Sequence, residues 1–115
     1  MQDFKQLPFE KRLNDCQKVR KKFPTKVPVI VMKAPTCELP VLEKEKFLIP
    51  QDLSVMEFQG IIRKKLILDE KRSLTLLVND RIMPKADSLM SEIYESHRDA
   101  DGFLYVLYTD EDVSG

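Results

Sequence analysis

Among its 115 residues the chain has one histidine, two cysteines and three glycines. Each scarcity excludes a class of function. His97 stands alone in the polar run SHRDADG, so no histidine-based catalytic pair can be drawn from the sequence. Gly60, Gly102 and Gly115 are too dispersed to build a phosphate-cradling loop. Cys16 and Cys37 fit no metal or redox spacing, and a domain of this size needs no disulfide, so both read as free thiols in a reducing, cytosolic setting. Asp99 and Asp101 resemble a fragment of a calcium loop, but the remaining ligand spacing and the closing Glu are missing. The expectation is a chain that is not an enzyme and that binds no cofactor and no metal. No apolar stretch approaches the ~18 residues that span a bilayer, and MQDFKQ lacks the character of a signal peptide. Internal repeats, low-complexity blocks and linkers are also missing.

What is present is a globular balance of 43% hydrophobic and 33% charged residues, enough for one core and not for two. Net charge is zero but unevenly placed. Residues 1–46 carry eleven Lys and Arg against six Asp and Glu, and residues 47–115 carry eight against thirteen. The amino-terminal part therefore donates a basic face. A nucleic-acid or cytoskeletal role for Lys18, Arg20, Lys21 and Lys22 is the weaker alternative, because no aromatic residues interleave with them and no net positive charge supports them.

The richest stretch is LPVLEKEKFLIPQDLSVMEFQGIIRKKL at 39–66. Phe47, Leu48 and Ile49 read as a strand that Pro50 closes, since proline offers no amide donor. Ser54 with Glu57 makes a capping box, and Leu53 with Phe58 a hydrophobic staple. Val55, Phe58, Ile61, Ile62 and Leu66 then recur at helical spacing. Before this stretch, Phe9, Leu13, Cys16, Val19 and Phe23 mark an amphipathic helix over 9–23 that Pro24 ends, with a short helical turn around Phe4 ahead of it. Residues 27–34 form a strand whose Pro28 points to a sheet edge or to a side left unpaired there. After it, 74–78 reads as a strand followed by an Asn79-Asp80 turn. A short helix follows at 89–94, ending before SHRDADG, and 103–108 is the last and most apolar strand. A hairpin, a helix crossing the sheet and two later strands describe an α+β, ubiquitin-like β-grasp with a four-stranded mixed sheet and an added N-terminal helical segment. The final strand is expected beside the first. The expected organisation is one domain over 1–115, with a helical extension at 1–24, the grasp at 25–109 and a flexible tail at 110–115.

The blocks FPTKVPVIV, LPVLEKEKFLIP, IIRKKL, LLVN and YESHRDADGFLYVLYTDE resemble the autophagy-related ubiquitin-like modifiers, the family of GABARAP and microtubule-associated protein light chain three. The resemblance runs from Phe4 to Gly115. It implies a modifier joined through Gly115 to phosphatidylethanolamine. Such a modifier would meet a processing cysteine protease and activating and conjugating enzymes. It would be cytoplasmic, and on autophagosome or vesicle membrane once lipid-conjugated, and a monomer in solution. It would recruit cargo receptors and adaptors through acidic-flanked aromatic-x-x-aliphatic peptides added as a strand. The resemblance places the aromatic pocket at Asp15, Val19, Pro28, Ile30, Lys46, Leu48 and Phe103. It places the aliphatic pocket at Phe47, Ile49, Pro50, Phe58, Ile61 and Ile62, and flanking-acid contacts at Lys44, Lys46, Arg63 and Lys65. Ile30 and Phe103 read equally as ordinary core, and Lys46 as a solvated lysine. Side chains three apart on a strand point to opposite faces, so a twisted or irregular end is expected to let both anchors reach their pockets. A modifier attached to proteins rather than lipid is the other reading. Lys65 stands where the family usually has arginine and cannot make its bidentate fork. Ser114 replaces the usual aromatic or Thr, and Leu7-Pro8 replaces basic residues common there.

Overall fold

The computed structural model describes residues 3–110. Gly115 and Ser114 lie outside them. A 3-10 turn (Phe4–Gln6) precedes α1 (Phe9–Lys22), β1 (Lys26–Lys33), β2 (Lys46–Pro50), α2 (Val55–Leu66), β3 (Thr75–Val78), α3 (Met90–His97) and β4 (Leu104–Thr109). The sheet order is β2-β1-β4-β3; β1 and β4 are parallel and the two outer pairings antiparallel. This is the mixed β-grasp sheet expected above, with the apolar last strand beside the first.

Alternation along β1 divides the interior between the two sheet faces. Val27, Val29 and Val31 point to α2, where Phe58, Ile62 and Leu66 pack with Leu104, Val106 and Tyr108. Ile30 points to the α1 side, where it is buried with Cys16, Phe103 and Tyr105. Burial pushes the Cys16 thiol up to about 11, so it is a protonated filler and a poor nucleophile. Gly102 makes this packing possible. It takes a φ of +93°, and a Cβ there would come within 2.6 Å of the Cys16 sulfur.

The α2 start is closed as its sequence requires. The Ser54 hydroxyl accepts from the Glu57 amide at 3.1 Å, and the Glu57 carboxylate accepts from the Ser54 amide at 3.0 Å. Its end is less comfortable. Ile67 stops the helix at φ 55°, ψ 51°, a left-handed position that a β-branched residue tolerates poorly, with its side chain 89% exposed. Ile67→Gly removes that strain and loses no packing, so it is expected to stabilise the fold by about 1 kcal/mol, read as a higher urea midpoint at unchanged slope.

Pro28 lies in an interior strand, not on the sheet edge. It sits one residue before β1 begins to pair with β4, at Val29 and Leu104, so the missing donor falls on the side still unpaired there. The third helix also differs from expectation. It continues to His97, because Ser96 and His97 face outward while Tyr94 is buried, and the Arg98 amide bonds the Tyr94 carbonyl at 2.9 Å.

Candidate functional site

β2 ends the sheet, so one side of its backbone faces outward. The hydrogen-bonded pairs of the β1–β2 ladder fix which groups those are. The Val31 amide bonds the Glu45 carbonyl at 2.8 Å, and the Gln51 amide bonds the Thr25 carbonyl at 3.1 Å. Bonded pairs alternate in an antiparallel ladder, so Phe47 and Ile49 spend their polar groups on Val29 and Val27. Lys46 and Leu48 point their N–H and C=O groups away from β1. Pro50, in phase with them, terminates the outward row without a donor. The sequence therefore builds an edge with two usable amides.

Beside that edge an open groove of about 350 Å³ is lined by Leu42, Glu43, Lys44, Lys46, Phe47, Leu48 and Lys65. Three of these are lysines and one is acidic, so the groove favours an acidic chain. Arg63 does not join it. Its guanidinium is committed to the Asp69 and Arg72 carbonyls, each at 2.8 Å, where it ties down the loop after α2.

The residues expected to hold the two anchors fall on opposite sheet faces. Lys46 lies across from Ile30, and Leu48 from Pro28. One step back along the β1–β4 register, Phe103 lies beside Pro28, and all five share the α1 face. Asp15 on α1 reaches over to Lys46 at 2.5 Å, and Val19, one turn further along α1, is half-buried. On the other face, Phe47 and Ile49 meet Phe58, Ile61 and Ile62 of α2. The expected twisted end is thus not needed. Two anchors three residues apart on a regular strand point to opposite faces, and the two candidate pockets straddle the edge.

Neither pocket stands open. Ile30 and Phe103 are completely buried, as is Ile62, and Ile49 and Phe58 are nearly so. They form floors, with Phe47, Leu48, Pro50 and Ile61 as half-exposed rims. On the α1 side, Phe4 packs edge-on against Phe103, with ring centroids 5.0 Å apart. The Lys46 ammonium lies 5.9 Å from the Phe4 ring. The sequence marked Phe4 only as part of a turn; an aromatic just ahead of an amphipathic helix was the available signal.

A second group missed by sequence reasoning holds α1 to the sheet. The Asp101 carboxylate is fully buried and accepts from the Arg12 guanidinium at 2.7 Å, the Tyr105 hydroxyl at 2.5 Å and the Phe103 amide at 2.8 Å. Asp101 is therefore the anchor of an ion pair and not a calcium-loop remnant. Arg12 also donates to the Leu7 carbonyl at 3.0 Å, which ties the N-terminal turn to the same group.

Residues 11–115 match the model of the family described as autophagy protein Atg8, ubiquitin-like. The chain is 43% identical over 108 residues to autophagy-related protein 8 of Candida glabrata, covering 94% of this chain and 91% of that protein. It is 42% identical over 107 residues to the protein of the same name from Mycosarcoma maydis, covering 93% and 90%. Among solved structures it is similar to Plasmodium falciparum Atg8 in complex with a Plasmodium falciparum Atg3 peptide. That match has a TM-score of 0.87 at 35% identity and covers 97% of this chain and 98% of that one.

Proposed function

The chain belongs to the Atg8 family of autophagy ubiquitin-like proteins, and from that premise we propose that it is a lipid-conjugated modifier that recruits cargo receptors and adaptors through the free edge of β2. Acidic aromatic-x-x-aliphatic peptides add to that edge as a strand, bonding the Lys46 and Leu48 backbones. The aromatic side chain goes toward Ile30 and Phe103, and the aliphatic one toward Ile49, Phe58 and Ile62. The observation that carries this reading is the outward row of β2 beside a lysine-lined groove. An Atg3 peptide bound to a solved relative supports a peptide as the occupant here. Lys44 and Lys65 steer the acidic flank, while each exposed pair adds only ~0–1 kcal/mol, so affinity rests on the anchors and the backbone.

Gly115 supplies the acyl group. Its carboxylate is adenylated, carried as a thioester by partner enzymes and attacked by the phosphatidylethanolamine amine, with the chemistry residing in those enzymes. The protein is then cytoplasmic before conjugation and on autophagosomal membrane after it. Incubation with the activating and conjugating enzymes, ATP and phosphatidylethanolamine vesicles tests this. The expected product carries one phosphatidylethanolamine by mass spectrometry, and Gly115→Ala removes it. An adduct on protein lysines instead of lipid would replace the lipid reading with that of a protein modifier.

A further inference from the structure

The groove beside β2 is open, but the floor meant for an aromatic side chain is already covered. Phe4 lies edge-to-face on Phe103, at 77° between ring planes, and Phe103 and Ile30 beneath it have no exposed surface. The Lys46 ammonium stands near the same ring while bonded to Asp15. A peptide strand could therefore meet the β2 backbone with nowhere to place its ring.

The turn that carries Phe4 is held by contacts that are individually weak. The Phe4 backbone lies against the Glu45 carboxylate, just ahead of β2. Lys5 sits 3.8 Å from Asp99 and 4.4 Å over the Tyr105 ring, half-exposed in both contacts. The Leu7 carbonyl accepts from Arg12. Exposed pairs and single cation–π contacts of this kind yield readily, whereas the buried faces of Phe103 and Ile30 reward whichever ring covers them. One apolar floor with a tethered ring on it makes a competition.

We propose that Phe4 is an intramolecular occupant of the aromatic side of the groove, and that an incoming aromatic side chain reaches Phe103 and Ile30 only by displacing it. This regulation rests on the peptide-binding reading above. The tethered ring lowers the fraction of molecules competent to bind, and apparent affinity falls by that fraction. That cost is the same for every peptide that must displace the ring, so it lowers affinity while leaving the floor's own preference for an aromatic anchor unchanged.

The chain contains no tryptophan, so Phe4→Trp places a single reporter on the turn. Wild type, Phe4→Ala and Phe4→Trp are titrated with a tryptophan-free acidic Phe-x-x-Leu peptide, with circular dichroism confirming the fold of each. By calorimetry, Phe4→Ala is expected to bind about fivefold more tightly than wild type, the scale of one aromatic contact released. In Phe4→Trp, emission is expected to start blue-shifted and to move red along the calorimetric isotherm. Binding with no red shift, or Phe4→Ala binding no tighter than wild type, would make Phe4 a fixed wall of the pocket and overturn the proposal. Heat absent from all three well-folded proteins would instead overturn the peptide-binding reading, and this inference with it.

Discussion

Leu48→Pro is expected to keep the wild-type fold and to bind an acidic Trp-x-x-Leu peptide at least about 30-fold more weakly. The reason is the phase of the β1–β2 ladder. Leu48 lies opposite Pro28 in a pair that exchanges no hydrogen bonds, so its amide is not used inside the sheet. A proline there removes the outward donor, sets its ring against the incoming strand and trims a side chain on the rim of the aromatic site. Loss of a backbone hydrogen bond with its partner left unpaired costs about 2 kcal/mol or more, which is about 30-fold in affinity. Proline on the outward side of an edge strand is tolerated, as Pro50 already demonstrates two residues later. The contrasting variant is Phe47→Pro. Its amide faces Val29, so the same substitution one residue earlier breaks the ladder and is expected to destabilise the whole fold by about 3 kcal/mol. Calorimetry and urea unfolding on the two variants separate loss of the edge from loss of the sheet. Equal binding by Leu48→Pro and wild type would mean that peptides use another surface.

Asp101→Ala is expected to cost about 3 kcal/mol of stability and to lower the melting temperature by more than about 10 °C. The carboxylate has no exposed surface and gathers three donors from α1, β4 and the residue before β4. Removing it leaves the Arg12 guanidinium, only 13% exposed, without its counter-charge. The Tyr105 phenol, whose pKa is raised first by burial and then by its bond to Asp101, also loses its acceptor. The penalty comes from the stranded partners more than from the bond itself. Arg12→Met combined with Asp101→Leu is therefore expected to recover much of the loss. If Asp101→Ala melted within a few degrees of wild type, the network would be ornamental. Because Arg12 also holds the Leu7 carbonyl, the same substitution loosens the turn that carries Phe4.

The edge was legible in the sequence because its signals are local. Pro50 after an apolar triplet, Ser54 with Glu57, and the helical recurrence from Val55 to Leu66 each lie within a few residues and need no partner to be read. The central place of the last strand, beside the first, followed from its hydrophobicity, since the most apolar segment takes the middle. What stayed hidden depends on contacts across long separations. Arg12 meets Asp101 across 89 positions, so Asp101 had only its near neighbour Asp99 to suggest a role, and the suggestion was a metal loop. Phe4 and Phe103 lie still further apart in sequence, and an aromatic in a short turn carries no sign of what it covers. Pro28 was ambiguous because a missing donor does not say which side of the strand is unpaired. The third helix ran past its expected end because polar residues on its outer face look the same as a loop.

Backbone amide exchange at single-residue resolution, with and without a saturating acidic Trp-x-x-Leu peptide, tests strand addition most directly. Phe47 and Ile49 donate into the sheet and are expected to be protected in both samples. Lys46 and Leu48 are expected to exchange fast in the free protein and to slow by more than about tenfold when the peptide is bound, since each then donates to a second strand. An alternating pattern of that kind belongs to a strand added to β2. Bound peptide with Lys46 and Leu48 still exchanging fast would contradict it and move recognition to a different surface.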